Sequence, residues 1–249
     1  MQFMILGMIV SGGGDKLINL WDCRERKLCG TLVGMHEDNI CKLVKFKGGG
    51  GGGPFVIGSC SWDGSVRCWT EEFSEINSLK LDTGTRDSGS CWSICALGPD
   101  SFVTGHADRS IRVWRGDRQV NVIASAHGDV VRDLIGLDGG LIVSVGNDGV
   151  IKLWNSFEFE CLDVVLCAHP AFIYGVCGGR DPFTFATFGE EGIVKIWHLE
   201  DEDKRRITLV SEIRVPIMSV WSAAFVDDDL LIIVGSTGTI FLFSTSEQK

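Results

Sequence analysis

Short runs in which apolar and polar residues alternate, separated by Gly, Asp, Asn and Ser, fill most of the chain. Gly149-Val-Ile-Lys-Leu-Trp154 is representative. Alternate side chains of a strand project to opposite faces, so such a run predicts a strand with one face more buried than the other. One pattern recurs without slipping: a Ser or Thr, three residues, an acid, five residues and a Trp. Its five instances are Ser11, Asp15, Trp21; Ser59, Asp63, Trp69; Thr104, Asp108, Trp114; Ser144, Asp148, Trp154; and Thr187, Glu191, Trp197. A sixth, worn copy keeps Thr237 and Phe243. The acid marks the turn into a strand and the Trp ends it, which places these strands near residues 16–21, 64–69, 109–114, 149–154, 192–197 and 238–243.

Steps of 48, 45, 40, 43 and 46 residues between the acidic positions suit the four-stranded blade of a WD repeat. The fold predicted is therefore an all-β WD40 β-propeller, a single domain over residues 1–249 with six recognisable blades, each marked strand being the third of its sheet. A His about 21 residues before the acid completes a set: His127 for Asp148 and His169 for Glu191. His36 lies 27 residues before Asp63, and the glycine run 48–53 accounts for the surplus as an insertion between first and second strands. The sets His36, Ser59, Asp63, Trp69; His127, Ser144, Asp148, Trp154; and His169, Thr187, Glu191, Trp197 are expected to close buried hydrogen-bond chains. Thr104, Asp108 and Trp114 have Asp87 in place of the His, and the last blade has Pro216, so both are expected to be looser. His106 reads as a solvated turn residue. Counting strands leaves the first and last blades incomplete, so an upstream piece is expected to be missing from this chain.

A formal charge of −10 and a pI near 4.9 argue against nucleic acid or an anionic membrane surface as the partner. No apolar run approaches the length of a spanning helix, and Met1 to Val10 reads as a strand. The ten cysteines include no Cys-x-x-Cys pair, so neither zinc nor a disulfide framework is expected; most read as small buried strand residues of a cytoplasmic or nuclear protein. Gly12-Gly-Gly-Asp-Lys16 lacks the ending of a phosphate loop, and the charged run 200–206 reads as a solvated loop. No convergent acid, base or nucleophile is recognisable, so no catalysis and no cofactor are expected.

In WD propellers the third and fifth residues after the His position and the residue before the acid lie on one face. Here these include Asn39, Cys41, Trp62, Trp92, Ala107, Val130, Arg132, Asn147, Phe172, Tyr174, Glu190 and Trp221, with Ser90 and Ser219. Interface hot spots favour Trp, Tyr and Arg. The alternative is that Trp92, Tyr174 and Trp221 pack between blades.

Particular segments carry a closer resemblance: Gly58-Ser-Cys-Ser-Trp-Asp63, Cys91-Trp-Ser-Ile94, Thr104-Gly-His-Ala-Asp108, Gly128-Asp-Val-Val-Arg-Asp133, Phe172-Ile-Tyr174 and Val215-Pro-Ile-Met-Ser-Val-Trp221. With them the chain resembles the propeller of the phospholipase A-2-activating protein family, associated in yeast with ubiquitin-fusion degradation. The resemblance implies a seven-bladed propeller whose face binds ubiquitin or ubiquitinated proteins, as an adaptor in protein turnover. It also implies a AAA unfoldase complex engaged through regions absent here. Ubiquitin offers an apolar patch with a basic rim, which suits aromatics mixed with Glu190. The rival reading is a generic WD40 scaffold or substrate receptor in another complex.

Overall fold

The computed structural model describes residues 2–5, 7–46, 56–70, 78–82, 89–200, 205–227 and 230–244. The glycine run 48–53, Asp87 and most of the charged run 200–206 lie outside them. Two compact units divide the chain, Met1–Ala126 and His127–Lys249. The first holds three antiparallel sheets: β1 (Gln2–Ile5), β2 (Met8–Gly12), β3 (Ile18–Asp22) and β4 (Lys27–Leu32); β5 (Ile40–Lys45), β6 (Ile57–Ser61), β7 (Ser65–Trp69) and β8 (Ser78–Asp82); β9 (Cys91–Ala96), β10 (Ser101–His106), β11 (Ile111–Arg115) and β12 (Arg118–Ile123). The second holds β13 (Val131–Leu137), β14 (Leu141–Gly146), β15 (Ile151–Asn155) and β16 (Cys161–Val165); β17 (Ile173–Gly178), β18 (Thr184–Gly189), β19 (Ile193–Glu200) and β20 (Arg206–Arg214); and β21 (Val220–Phe225), β22 (Leu230–Gly235) and β23 (Ile240–Ser244). Strand order follows chain order in every sheet.

The first sheet has four strands rather than three, because Gln2–Ile5 pairs with Met8–Ser11 around Gly7 at φ +79°. The last sheet has three among the described residues.

Burial within each sheet follows the residue pattern. The second strands β6, β10, β14 and β18 are buried over nearly their whole length. Third strands alternate, as in β15, where Ile151 and Leu153 are buried and Lys152 is partly exposed. Fourth strands are the outer ones, and β12 is exposed over most of its length. Consecutive sheets stack on shared cores. Val10, Ile18 and Trp69 join the first two sheets, and Phe46, Cys60, Phe102 and Trp114 the next pair. In the second unit Val143, Leu153, Phe185 and Trp197 form one such core, and Phe188, Val194, Val220 and Ile233 the other. Each large side chain so buried contributes roughly 1.5–3 kcal/mol. In the turn before each third strand, the residue following the acid position is left-handed: Lys16, Gly64, Arg109, Gly149, Gly192 and Gly238, with φ between 66° and 78°.

Inside the sheets runs the buried polar chain. In the fourth sheet His127 Nδ1 lies 3.0 and 3.1 Å from the Asp148 carboxylate oxygens, and its Nε2 lies 2.7 Å from Ser144 Oγ. A carboxylate only accepts, so Nδ1 carries the proton and Nε2 accepts from Ser144, whose oxygen receives the Trp154 indole N–H at 2.8 Å. Burial pushes the Asp148 pKa up, but hydrogen bonds from His127 and from the Gly128 and Val150 amides outweigh it and hold the carboxyl below its ordinary range.

The other sheets vary this device. In the second, His36 reaches Ser59 Oγ at 2.8 Å, Ser65 Oγ at 2.9 Å and Asp63 at 3.3 Å. Trp69 does not complete that set: its indole nitrogen is buried with no hydrogen-bond partner among the described residues. In the fifth, His169 and Trp197 meet on Thr187 Oγ1 at 2.9 and 2.8 Å, but Glu191 stands 4.0 Å from His169 Nδ1. Pro170 follows that His and has no N–H to offer, whereas Glu37 and Gly128 donate theirs to Asp63 and Asp148. Burial accordingly raises the Glu191 carboxyl above its ordinary range. The sixth sheet dispenses with the chain altogether, with Ile233 buried and Phe243 packed at the hydroxyl and Trp positions. Removing both partners avoids stranding either.

The third sheet corrects the expectation for His106. This residue is not solvated; it is fully buried and replaces the missing histidine. Its Nδ1 lies 3.3 Å from the Gly89 carbonyl and its Nε2 2.7 Å from Thr104 Oγ1, which accepts the Trp114 N–H at 2.8 Å. A carbonyl fixes the proton on Nδ1, so the relay is the one His127 makes, entered from the opposite side. Asp108 turns instead to Ser110 and Arg112.

Burial holds His106 and His169 neutral, lowering both pKa values from 6.5 to about 4. Below pH 6.5 the unfolded chain takes up protons that the folded chain refuses, so this contribution to stability is complete above pH 6.5 and is lost as pH falls towards 4. Urea unfolding should therefore show stability dropping from pH 7 to 5, on the order of 1–2 kcal/mol per histidine. His106→Gln should flatten that slope, and a slope unchanged by the substitution refutes the assignment. His106→Ala should cost about 2 kcal/mol or more at pH 7, since it strands Thr104 and Gly89.

Candidate protein-interaction site

Two of the three positions selected from the repeat are locked together by backbone. The N–H before the acid position donates to the carbonyl of the third-position residue in five sheets: Trp62 to Asn39 at 3.1 Å, Ala107 to Ser90 at 3.0 Å, Asn147 to Val130 at 3.1 Å, Glu190 to Phe172 at 3.1 Å and Ser236 to Ser219 at 3.0 Å. The fifth position behaves differently. Ile40 pairs with Ser61 and Lys42 with Cys60, so Cys41 is passed over by the ladder. Trp92, Arg132, Tyr174 and Trp221 are skipped in the same way. Each is the extra residue of a β-bulge, a feature that re-aims a side chain at a sheet margin. Spacing from the His located these residues but gave no sign of the bulge.

In the first unit the Trp62 and Trp92 rings stand 4.8 Å apart at 55°. Both are only partly exposed, as are Asn39, Cys41 and Ala107. Ser90 Oγ donates to the Trp62 carbonyl at 2.9 Å and ties the loops of neighbouring sheets. The two indoles therefore pack chiefly on one another.

In the second unit Arg132 lies over the Tyr174 ring, 5.0 Å from its centroid, a cation–π pair that occupies both side chains. Val130 and Asn147 are partly buried. Phe172 and Trp221 are 42% and 62% exposed, and Glu190 is open to solvent. Trp221 Nε1 donates to Ser219 Oγ at 3.0 Å, which orients the indole while leaving its face uncovered. The sequence reading missed Met218, which is 84% exposed. A signal existed: the corresponding residue is Asp38, Gly89, Asp129 or Ala171 in the other sheets, small or polar each time.

Among the described residues no three His, Cys, Asp or Glu side chains are grouped so as to hold a metal ion, and no helix is long and apolar enough to cross a membrane. The cysteines depart from expectation. Only Cys60, Cys68, Cys91 and Cys95 are buried, while Cys29, Cys161 and Cys167 are exposed, two of them on outer strands. All ten are free thiols, and burial pushes Cys68 up to about 12.

Sheets of this order, with the hydroxyl-to-indole bond in their interior, define a WD40-repeat propeller, and the WD40 family model (WD domain, G-beta repeat) matches residues 32–70 and 118–155. Within that class the chain is homologous to ubiquitin-related WD proteins. It is 32% identical over 246 residues to the ubiquitin homeostasis protein lub1 of Schizosaccharomyces pombe, covering 98% of this chain and 30% of that protein. Over 228 residues it is 28% identical to the ubiquitin fusion degradation protein 3 homolog of Caenorhabditis elegans, covering 88% of this chain and 25% of the relative. Protein DOA1 of Saccharomyces cerevisiae is 28% identical over 170 residues, 67% of this chain and 22% of its own length. The chain thus spans less than a third of these curated relatives. The crystal structure of the WD40 propeller domain of Doa1 matches 98% of this chain and 76% of that chain, with a TM-score of 0.78 and 27% identity.

In the fifth and sixth sheets the third-position carbonyl also lies hard against a glycine of the second strand. A Cβ on Gly189 would collide with the Phe172 carbonyl, and one on Gly235 with the Ser219 carbonyl. Gly189→Ala should therefore lower stability by about 2 kcal/mol or more and shift the amide resonances of residues 171–174. An unperturbed spectrum with full stability refutes this account of the bulge.

Proposed function

We propose that this chain is a non-catalytic adaptor that binds ubiquitin or ubiquitinated proteins through side chains carried on the recurrent bulges. The observation that carries the reading is Trp221, an indole 62% exposed at a bulge, in a chain whose relatives are named for ubiquitin fusion degradation and ubiquitin homeostasis. A large aromatic held by a single hydrogen bond, with its face open, has the properties of an interface anchor. The negative net charge suits a partner whose apolar patch has a basic rim and disfavours nucleic acid and anionic membranes. Contact with a AAA unfoldase belongs to regions outside this chain, and free thiols accord with a cytoplasmic or nuclear setting.

Fold alone does not choose the partner. Titration of isotope-labelled ubiquitin should give a saturable set of shifts, and Trp221→Ala should weaken binding by about 2 kcal/mol with the fold intact. The absence of shifts, alongside capture of another client from lysate, decides for a general WD40 scaffold or substrate receptor.

A further inference from the structure

Charge divides unequally between the two units. Residues 1–126 contain 14 Lys or Arg and 14 Asp or Glu, whereas residues 127–249 contain 9 and 19, so the whole formal charge of −10 falls in the second unit. The exposed apolar side chains at the candidate positions fall there too. Phe172, Met218 and Trp221 are 42%, 84% and 62% exposed, against the self-packed Trp62 and Trp92 of the first unit.

These side chains belong to one stretch of surface, linked by backbone. The Phe172 carbonyl receives the Glu190 N–H at 3.1 Å. On the far side of the same turn the Gly192 carbonyl receives the Val215 N–H at 2.8 Å, and Gly192 lies so close to the Ile217 carbonyl that a Cβ would collide with it. Met218 follows Ile217, and the Trp221 indole folds back onto Ser219. The turn 189–192 is thus flanked by the Phe172 loop and the Met218 loop, with exposed Glu190 between them. The nearby cations do not cancel that charge, because Glu212 engages both Lys195 at 3.5 Å and Arg214 at 2.7 Å.

We infer that ubiquitin recognition is confined to the second unit, where Phe172, Met218 and Trp221 receive the partner's apolar patch and Glu190 faces its basic rim. This rests on the ubiquitin-binding reading and sharpens it: Met218 and Glu190 become specificity-determining residues, and the first unit's tryptophan pair is internal packing. Steering by a one-signed surface makes association sensitive to salt, whereas the apolar contacts are not.

Calorimetric titration of ubiquitin into the intact chain, at about 50 and about 300 mM salt, tests this. Met218→Ser should weaken binding at least fivefold at both concentrations. Glu190→Lys should weaken it at least fivefold at low salt and by a smaller factor at high salt. Glu37→Lys makes the same charge change on an exposed loop of the first unit and should leave affinity within about twofold, as expected for a charge outside the contact. Both second-unit sites are exposed, so urea unfolding of each variant should match the parent. If the parent binds and Glu37→Lys weakens it as much as Glu190→Lys does, or Met218→Ser has no effect, the confinement is wrong while ubiquitin binding stands. If the parent does not bind ubiquitin, both readings fall.

Discussion

One hydroxyl oxygen organises each well-formed sheet. Ser144 or Thr187 receives an indole N–H from the third strand and gives its own proton to a histidine arriving from the loop before the first strand. Where the histidine Nδ1 meets a carboxylate, as His127 meets Asp148, its proton sits on Nδ1, and the strands carrying these groups lie at fixed separations. A buried polar chain satisfied in this way specifies geometry more sharply than apolar packing, and one member lost strands its neighbours. The sheets that depart from it do so in ways that respect this. Thr104 recovers its histidine from His106, and the last sheet gives up the histidine, the buried hydroxyl, the acid and the indole together.

That logic sets how much of the fold the sequence could disclose. The interval from hydroxyl to acid to Trp was legible because it follows from strand length and turn geometry, both local. His106 was misread because its role depends on an absence: a histidine two residues before the acid looks like a turn residue unless the loop that should have supplied one is known to lack it. Trp69 shows the reverse case, where the right residue at the right interval makes no bond to the hydroxyl among the described residues. Met1 to Val10 reads as a single strand because the break at Gly7 carries no marker of its own and is defined only by the pairing of Gln2–Ile5 across it.

The candidate site was legible in part and for similar reasons. Positions counted from the histidine fell on the bulges, yet the same count gave equal weight to Trp92, turned against Trp62, and to Trp221, left open. Exposure is decided by neighbours from adjacent sheets, which spacing within one repeat does not contain. Met218 lay outside the count entirely and became visible as an apolar residue where other repeats carry small or polar ones.

The bulges have a further consequence for how such a surface can change. A residue inside a ladder is held in register with the next strand, but the bulged residue is passed over by that register. Cysteine, tryptophan, arginine, tyrosine and again tryptophan occupy the five equivalent places without disturbing the pairing on either side. Each of these five sheets thereby offers a socket whose contents can change without altering the strand pairing, so that relatives sharing this framework are free to diverge in what they hold.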